Sequence, residues 1–327
     1  MPTEVRPVAE PTVDDVMRAA EIVSRYLSPT PLIASSAFGD GVRLKLESLQ
    51  PTGSFKVRGG LAALANAMAE DPNAEVVTAS AGNHGLGVAF AAQLLGVKAT
   101  VVIPVTASIT KRLRLQRFTE DGIDLVLHGS NYDEAEEFAL ELAGRGARFV
   151  SAYNDPHVIA GQATIGLEVF DQAPETASFL VPVGGGGLLS GIALAASGKH
   201  GVEVIGVEAA RSPAVSTSVR AGKAVEIPDE QTIADGLAGN VEKGSVTIPI
   251  ITRLVAGFLP VEESAIRRSI HQMASEEGVV AEPSGAVAYA AVEMRPVPEP
   301  GASPTVVVVS GRNVPAGVLA QYLIREP

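Results

Sequence analysis

The sequence predicts an α/β fold: two open parallel-sheet domains with helices on both faces. Three observations predict it. Short β-branched runs recur along the chain, each followed by a glycine-rich or polar turn and then a helix-like stretch. The runs are continuously apolar rather than alternating, as strands covered on both faces are. And 46% of the 327 residues are hydrophobic, enough for one large core or two moderate ones.

The elements follow in order. Thr12 precedes Asp15 by three residues, a capping-box pattern, and Val13, Val16, Ala20, Val23 and Leu27 follow at helical spacing. This predicts an amphipathic helix that ends before Ser28-Pro29. Arg43 to Glu47 alternates charged and apolar residues, which predicts a half-buried strand. Glu75 to Ala79 then leads through Ser80-Ala81-Gly82-Asn83-His84 into an alanine-rich helix. Ala99 to Ile103 leads through Pro104 to a basic helix around Lys111 to Arg117, and Ile123 to Leu127 precedes an acidic helix near Asp133. Ser178 to Val183 runs into Gly184-Gly185-Gly186-Gly187 and an apolar helix. Glu203 to Val207 and Thr305 to Val309 are further buried strands. There is no tandem repeat and no low-complexity linker. The two-domain division expected is residues 1–70 with 150–327 as the large domain, and 71–149 as the small one.

Composition removes several function classes. The formal net charge of −12 argues against nucleic acid or an anionic membrane as partner. There is no cysteine, so disulfides, thiolate metal sites and a cysteine nucleophile are excluded. The acidic, proline-containing N-terminus does not resemble a secretory signal. The most apolar stretch, Gly85 to Ala107, is broken by Gln93, Lys98 and Pro104, so it reads as a buried helix and strand rather than a membrane span. The expectation is a cytoplasmic protein with a small-molecule partner. Lys111, Arg112, Arg114 and Arg117, and equally Glu134, Glu136, Glu137 and Glu141, read as solvated helix faces.

Ligands of open parallel sheets bind beyond the carboxyl ends of strands. Three conspicuous turns follow strands here: Ser80 to His84, Gly184 to Gly187, and Ser310 to Val314. Four consecutive glycines before an apolar helix exceed the needs of a tight turn; they let backbone N–H groups approach a phosphate, with the helix N-terminus adding positive potential. No Walker lysine follows, and the spacing does not match a dinucleotide fingerprint. Lys56, flanked by small residues and Phe55, is a nucleophilic amine if desolvated; taken alone it reads equally as a solvated lysine at a helix start. Ser80, Asn83 and nearby N–H groups suit a carboxylate, and suit an ordinary helix N-cap as well.

Together these segments resemble the fold type II pyridoxal-phosphate enzymes, the tryptophan synthase β family, and within it the threonine and serine dehydratases and serine racemases. The resemblance runs from Thr30-Pro31-Leu32 to Asn313 and rests on Gly53-Ser54-Phe55-Lys56-Val57-Arg58-Gly59, the Ser80 to His84 loop, Ile159-Ala160-Gly161-Gln162, Gly184 to Gly187, Thr232-Ile233-Ala234-Asp235-Gly236, Ala281-Glu282-Pro283-Ser284-Gly285 and Ser310-Gly311-x-Asn313. It implies a cofactor, pyridoxal 5'-phosphate, in the cleft between the two domains. Lys56 would carry it as a Schiff base and later move the α-proton. Phe55 would pack near the ring, Asn83 bond the ring hydroxyl oxygen, Gly184, Gly185, Gly186 and Gly187 hold the phosphate, and Ser310 face the pyridine nitrogen. Ser80, Ala81, Gly82, Asn83 and His84 would receive the substrate carboxylate, and Tyr153 would line the pocket or pack in the core. The implied activity is loss of water from an L-β-hydroxy amino acid, threonine or serine, then hydrolysis to a 2-oxo acid and ammonia. Dimers or tetramers of identical subunits are implied as well.

Departures sharpen the expectation. Serine racemases of the family carry a serine at the position of Ala81, so dehydration ranks above racemisation. Arg312 replaces a common glycine; it either contacts a second acidic group, as in a hydroxyaspartate dehydratase, or points to solvent. β-Replacement is the other enzymatic alternative within the family; a cofactor-binding protein without turnover and, outside the family, a nicotinamide oxidoreductase are the remaining ones. Glu208 matches one acid of the relatives' cation site, but Arg211-Ser212-Pro213-Ala214 lacks the second, so no divalent metal is expected and a monovalent cation held by carbonyls stays open. The chain leaves no room after Asn313 for the regulatory domain of biosynthetic threonine dehydratases, so a catabolic or specialised role without isoleucine feedback is expected.

Overall fold

The computed structural model describes residues 6–107, 109–119, 122–299 and 301–324. Helix α1 (Val13–Tyr26) starts as its sequence dictates. The Thr12 hydroxyl accepts from the Asp15 N–H at 3.1 Å, and Asp15 accepts from the Thr12 N–H at 2.7 Å. Val16, Ala19 and Val23 form its buried stripe.

The chain then makes an antiparallel pair, β1 (Leu32–Ser35) and β2 (Gly39–Lys45). The strand expected from Arg43 to Glu47 therefore starts earlier and stops at Lys45; Glu47 opens a 3-10 turn, Glu47–Leu49. Alternation also misreads exposure here, because Lys45 and Glu47 are both fully buried. They belong to an ion network with Arg58 and Glu168. Arg58 bonds Glu47 at 2.7 Å and Glu168 at 2.6 Å, and Lys45 bonds Glu168 at 2.8 Å. Two cations and two carboxylates compensate one another, with Thr30, Thr164 and Gln172 taking further hydrogen bonds. Burial of such charges is tolerable only when paired this fully.

The remaining elements alternate strand and helix, except where two helices follow one another after β8 and after β9. They are α2 (Lys56–Glu70), β3 (Glu75–Ala79), α3 (Asn83–Leu95), β4 (Lys98–Ile103), α4 (Ile109–Gln116), β5 (Ile123–Leu127), α5 (Tyr132–Gly144), β6 (Arg148–Phe149), α6 (Pro156–Gln172), β7 (Ser178–Pro182), α7 (Gly187–Ala196), β8 (Glu203–Ala209), α8 (Ala214–Ala221), α9 (Thr247–Leu254), β9 (Gly257–Val261), α10 (Glu263–Ser275), α11 (Pro283–Ala290), β10 (Thr305–Val308) and α12 (Ala316–Leu323). The larger sheet has the order β1-β2-β10-β7-β8-β9 and is parallel except for β1. The smaller has the order β5-β4-β3-β6 and is wholly parallel. Separate apolar cores lie on the two faces of the larger sheet, one with α10 and α11 and the other with α7 and α9. The smaller sheet packs α2 and α3 on one face and α5 on the other.

Strand order sets where a ligand can bind. In the larger sheet the chain runs from β7 outward to β8 and β9, while β10 inserts on the other side of β7. In the smaller it runs from β3 outward to β4 and β5, while β6 inserts on the other side of β3. Each reversal opens a crevice at the carboxyl ends of the strands. The turns after β7 and β10 are Gly184–Gly187 and Ser310–Asn313; those after β3 and β6 are Ser80–Gly82 and Ser151–Asp155.

Candidate active site

These turns converge on one cavity of about 930 Å³. Its walls include every site residue named from the sequence: Phe55, Lys56, Ser80, Ala81, Gly82, Asn83, His84, Gly184, Gly185, Gly186, Gly187 and Ser310.

Lys56 is the first residue of α2. The loop before it is laid against the strand-β10 turn: Ser54 bridges Gly311, and the Phe55 N–H donates to the Ser310 carbonyl at 3.1 Å. The Lys56 side chain opens on the cavity, its Nζ donating to the Ala152 carbonyl at 2.8 Å and lying 5.2 Å from the Phe55 ring centroid. Burial pushes this amine down to about 8, because the surrounding protein cannot solvate an ammonium as water does. Of the two readings the sequence left, the structure gives the desolvated one.

The tetraglycine turn is required by space. A Cβ at Gly185 would lie 2.3 Å from the Tyr153 ring, and one at Gly187 would lie 2.9 Å from the Tyr153 Cα. Gly186 has φ +88, a backbone conformation side-chain-bearing residues rarely adopt. Tyr153 thus packs directly against the turn while also lining the cavity, and its hydroxyl accepts from the Glu242 N–H at 2.9 Å. Helix α7 begins here with no side-chain cap. Its first N–H groups, which lack intrahelical acceptors, form a cradle for an oxyanion.

Helix α3 begins on the same cavity, also without a side-chain cap. Neither Ser80 nor Asn83 serves as N-cap. The Ser80 hydroxyl instead accepts from the Gly82 N–H at 3.2 Å, and Asn83 reaches across to Glu282 at 2.6 Å. His84 is buried, its Nε2 donating to the Val150 carbonyl at 3.1 Å. Burial, with the nearby Lys56 charge, lowers it to about 3, so it is neutral at physiological pH. Two uncapped helix ends with backbone donors therefore share one cavity with the Lys56 amine.

These features fit pyridoxal phosphate: an amine to join its aldehyde, a cradle free of Cβ atoms for its phosphate, and the buried Ser310 on the wall for its ring. The comparison with protein families agrees. The family model for "Pyridoxal-phosphate dependent enzyme" matches residues 23–311. The chain belongs to this family. It is 38% identical over 319 residues to an L-threonine ammonia-lyase of Thermotoga maritima, covering 95% of this chain and 78% of the relative. It is 41% identical over 306 residues to an L-threonine ammonia-lyase of Geobacter sulfurreducens, covering 91% and 75%. Among solved structures, maize serine racemase superposes with a TM-score of 0.86 at 30% identity, covering 96% of this chain and 97% of that one.

Other residues of the site had no role assigned from the sequence. Glu282 and Asn313 lie on the cavity wall and bond Asn83 from two sides. Beside the lining residue Glu242, Arg6 pairs with it through two bonds of 2.9 Å and covers the Phe149 ring at 4.8 Å. Arg312 is exposed; only its backbone is engaged, donating to the Gly53 carbonyl at 2.9 Å. Glu208 accepts from the Val215 and Ser216 N–H groups, at the start of α8. No helix among the described residues is long and apolar enough to cross a membrane.

Proposed function

We propose that this protein is a pyridoxal-phosphate-dependent L-threonine ammonia-lyase that also accepts L-serine. One observation carries the reading: the desolvated Lys56 amine shares a cavity with two uncapped helix N-termini, α7 for the cofactor phosphate and α3 for the substrate carboxylate. The relatives' activity supports it.

Bound there, pyridoxal phosphate supplies a sink for the electron pair released when the α C–H bond breaks. The chain supplies the rest. The Gly184–Gly187 N–H groups and the α7 dipole anchor the phosphate. The Ser80 to His84 loop receives the α-carboxylate through backbone donors and so fixes which bond faces Lys56. Its amine, basic enough near neutral pH to accept a proton, takes the α-hydrogen. The β C–O bond breaks and the hydroxyl takes up one proton to leave as water, balancing the proton drawn from the α-carbon. The released enamine takes a proton on carbon and loses one from nitrogen to become the imine, and water hydrolyses its C=N bond, giving ammonia and 2-oxobutanoate from threonine, or pyruvate from serine. Ala81 places a methyl group on the wall, which has no proton to return to the opposite face of the α-carbon. Elimination is favoured over racemisation for that reason.

The same proposal takes residues 71–149 as a small domain against the rest of the chain, assembly as dimers or tetramers in the cytoplasm, and, where a cation is needed, a monovalent one. The deciding experiment is 2-oxo acid release from L-threonine, L-serine, both 3-hydroxyaspartates and phenylserine, with Lys56→Ala as control. Release from threonine that Lys56→Ala abolishes is the expected result. An amino-acid product on adding a thiol would instead indicate β-replacement, and equal D- and L-serine a racemase.

A further inference from the structure

Asn83 has its amide orientation dictated from outside. The Thr52 carbonyl can only accept, so the NH2 of Asn313 faces it at 2.8 Å. The same NH2 group gives a hydrogen to Asn83 Oδ1 at 2.6 Å. That spends the Asn83 oxygen and turns its own NH2 toward Glu282, whose Oε1 accepts at 2.6 Å. An amide NH2 carries two hydrogens. One is committed to Glu282, and the second is the one a ring oxygen in the cavity can take.

Glu282 is itself held in place. Its N–H donates to the Gly311 carbonyl at 3.0 Å, and Pro283 starts α11 immediately after it. A Cβ at Gly311 would stand 2.1 Å from Glu282 Oε1, so a side chain there would push this carboxylate out of its place. The relay thus joins the turn after β10 and the start of α11, on the larger sheet, to the first residue of α3, on the smaller.

We propose that Glu282 is a positioning residue for the cofactor ring, orienting the Asn83 amide and, through its own ionisation, setting how firmly that amide is held. The proposal rests on the cofactor placement above. The carboxyl is deeply buried, and burial pushes it up to about 7. The Asn83 bond opposes that shift, Asp235 adds to it, and Arg114 and Lys111 of α4 oppose it. Above that pH a carboxylate accepts the Asn83 hydrogen in a charge-assisted bond; below it a neutral acid accepts more weakly. The hold on the ring oxygen therefore strengthens as pH rises through neutrality.

The test uses the holoprotein, with the visible absorbance of the bound cofactor and its equilibrium dissociation constant as readouts at pH 6 and pH 8. Glu282→Gln keeps the acceptor and removes the titration. The affinity ratio of wild type to Glu282→Gln should change by roughly tenfold between the two pH values, and the visible band of the variant should lose the transition near pH 7. Glu282→Ala should bind the cofactor more weakly at both. An unchanged transition in Glu282→Gln overturns the proposal, and that variant decides alone if the alanine variant fails to fold. Borohydride reduction separates the two failures: a cofactor adduct on Lys56 with a pH-insensitive ratio sinks the role of Glu282 only, whereas no adduct in wild type sinks the cofactor placement and this proposal with it.

Discussion

Lys56 Nζ and the Ala152 carbonyl oxygen stand 2.8 Å apart, a bond across the crevice between the start of α2 and the loop after β6. It aims the amine at the cavity while burial weakens its hold on a proton. In protein stripped of cofactor, acetylation of Lys56 should rise with pH and level off above about 8, whereas exposed lysines keep gaining toward their ordinary value near 10.5. Mass spectrometry of peptides after brief acetic anhydride treatment measures this. A Lys56 profile that tracks the surface lysines would contradict the desolvated amine.

The neutrality of His84 gives a second expectation. With burial holding it at about 3, its ring should not titrate between pH 5 and pH 9. The sign follows from the environment: desolvation and the Lys56 charge both disfavour the imidazolium, so lowering pH across this range leaves the ring neutral. Imidazole NMR shifts of His84, assigned by comparison with His84→Asn, check it; a midpoint near 6.5 would be incompatible with the buried geometry.

Arg58 offers the largest stability effect. Arg58→Ala leaves Glu47 and part of Glu168 buried without their guanidinium, and should cost about 3–5 kcal/mol in urea unfolding. Arg58→Lys should recover only part of that, since an ammonium cannot make the paired bonds to Glu47.

Gly185→Ala tests the cradle. The new methyl must displace the Tyr153 ring, with an expected cost of roughly 1–3 kcal/mol and weaker cofactor binding. Tyr153→Ala in the same chain should restore part of the loss by opening the space. Equilibrium dialysis of the single and double variants measures the coupling; additive losses would mean the two do not touch.

Much of this was legible in the sequence, for identifiable reasons. Buried parallel strands advertise themselves as apolar runs, so β3, β4, β5, β7, β8 and β10 were found nearly in place. Strand β9 escaped because it is a half-exposed edge strand interrupted by Pro260, and β6 because two residues leave no pattern. The site residues that families share as short motifs were readable, as Lys56 and Gly184 to Gly187 illustrate. Glu282 was readable as a motif member but not as the partner of Asn83, since 199 residues separate them. Lys45 and Glu47 were misjudged because a charge in an alternating run looks solvated until Arg58 and Glu168 are seen beside it.

The buried network around Arg58 has a consequence for how this architecture can diversify. It grips the first turn of α2 from the side away from the cavity, through β2 and α6. The reactive lysine is therefore secured by parts that never meet a substrate. Other lining segments, around Tyr132 to Glu136 and Pro228 to Glu242, take no part in that network. Lineages can rewrite those segments for new substrates while the chemical engine beneath stays the same.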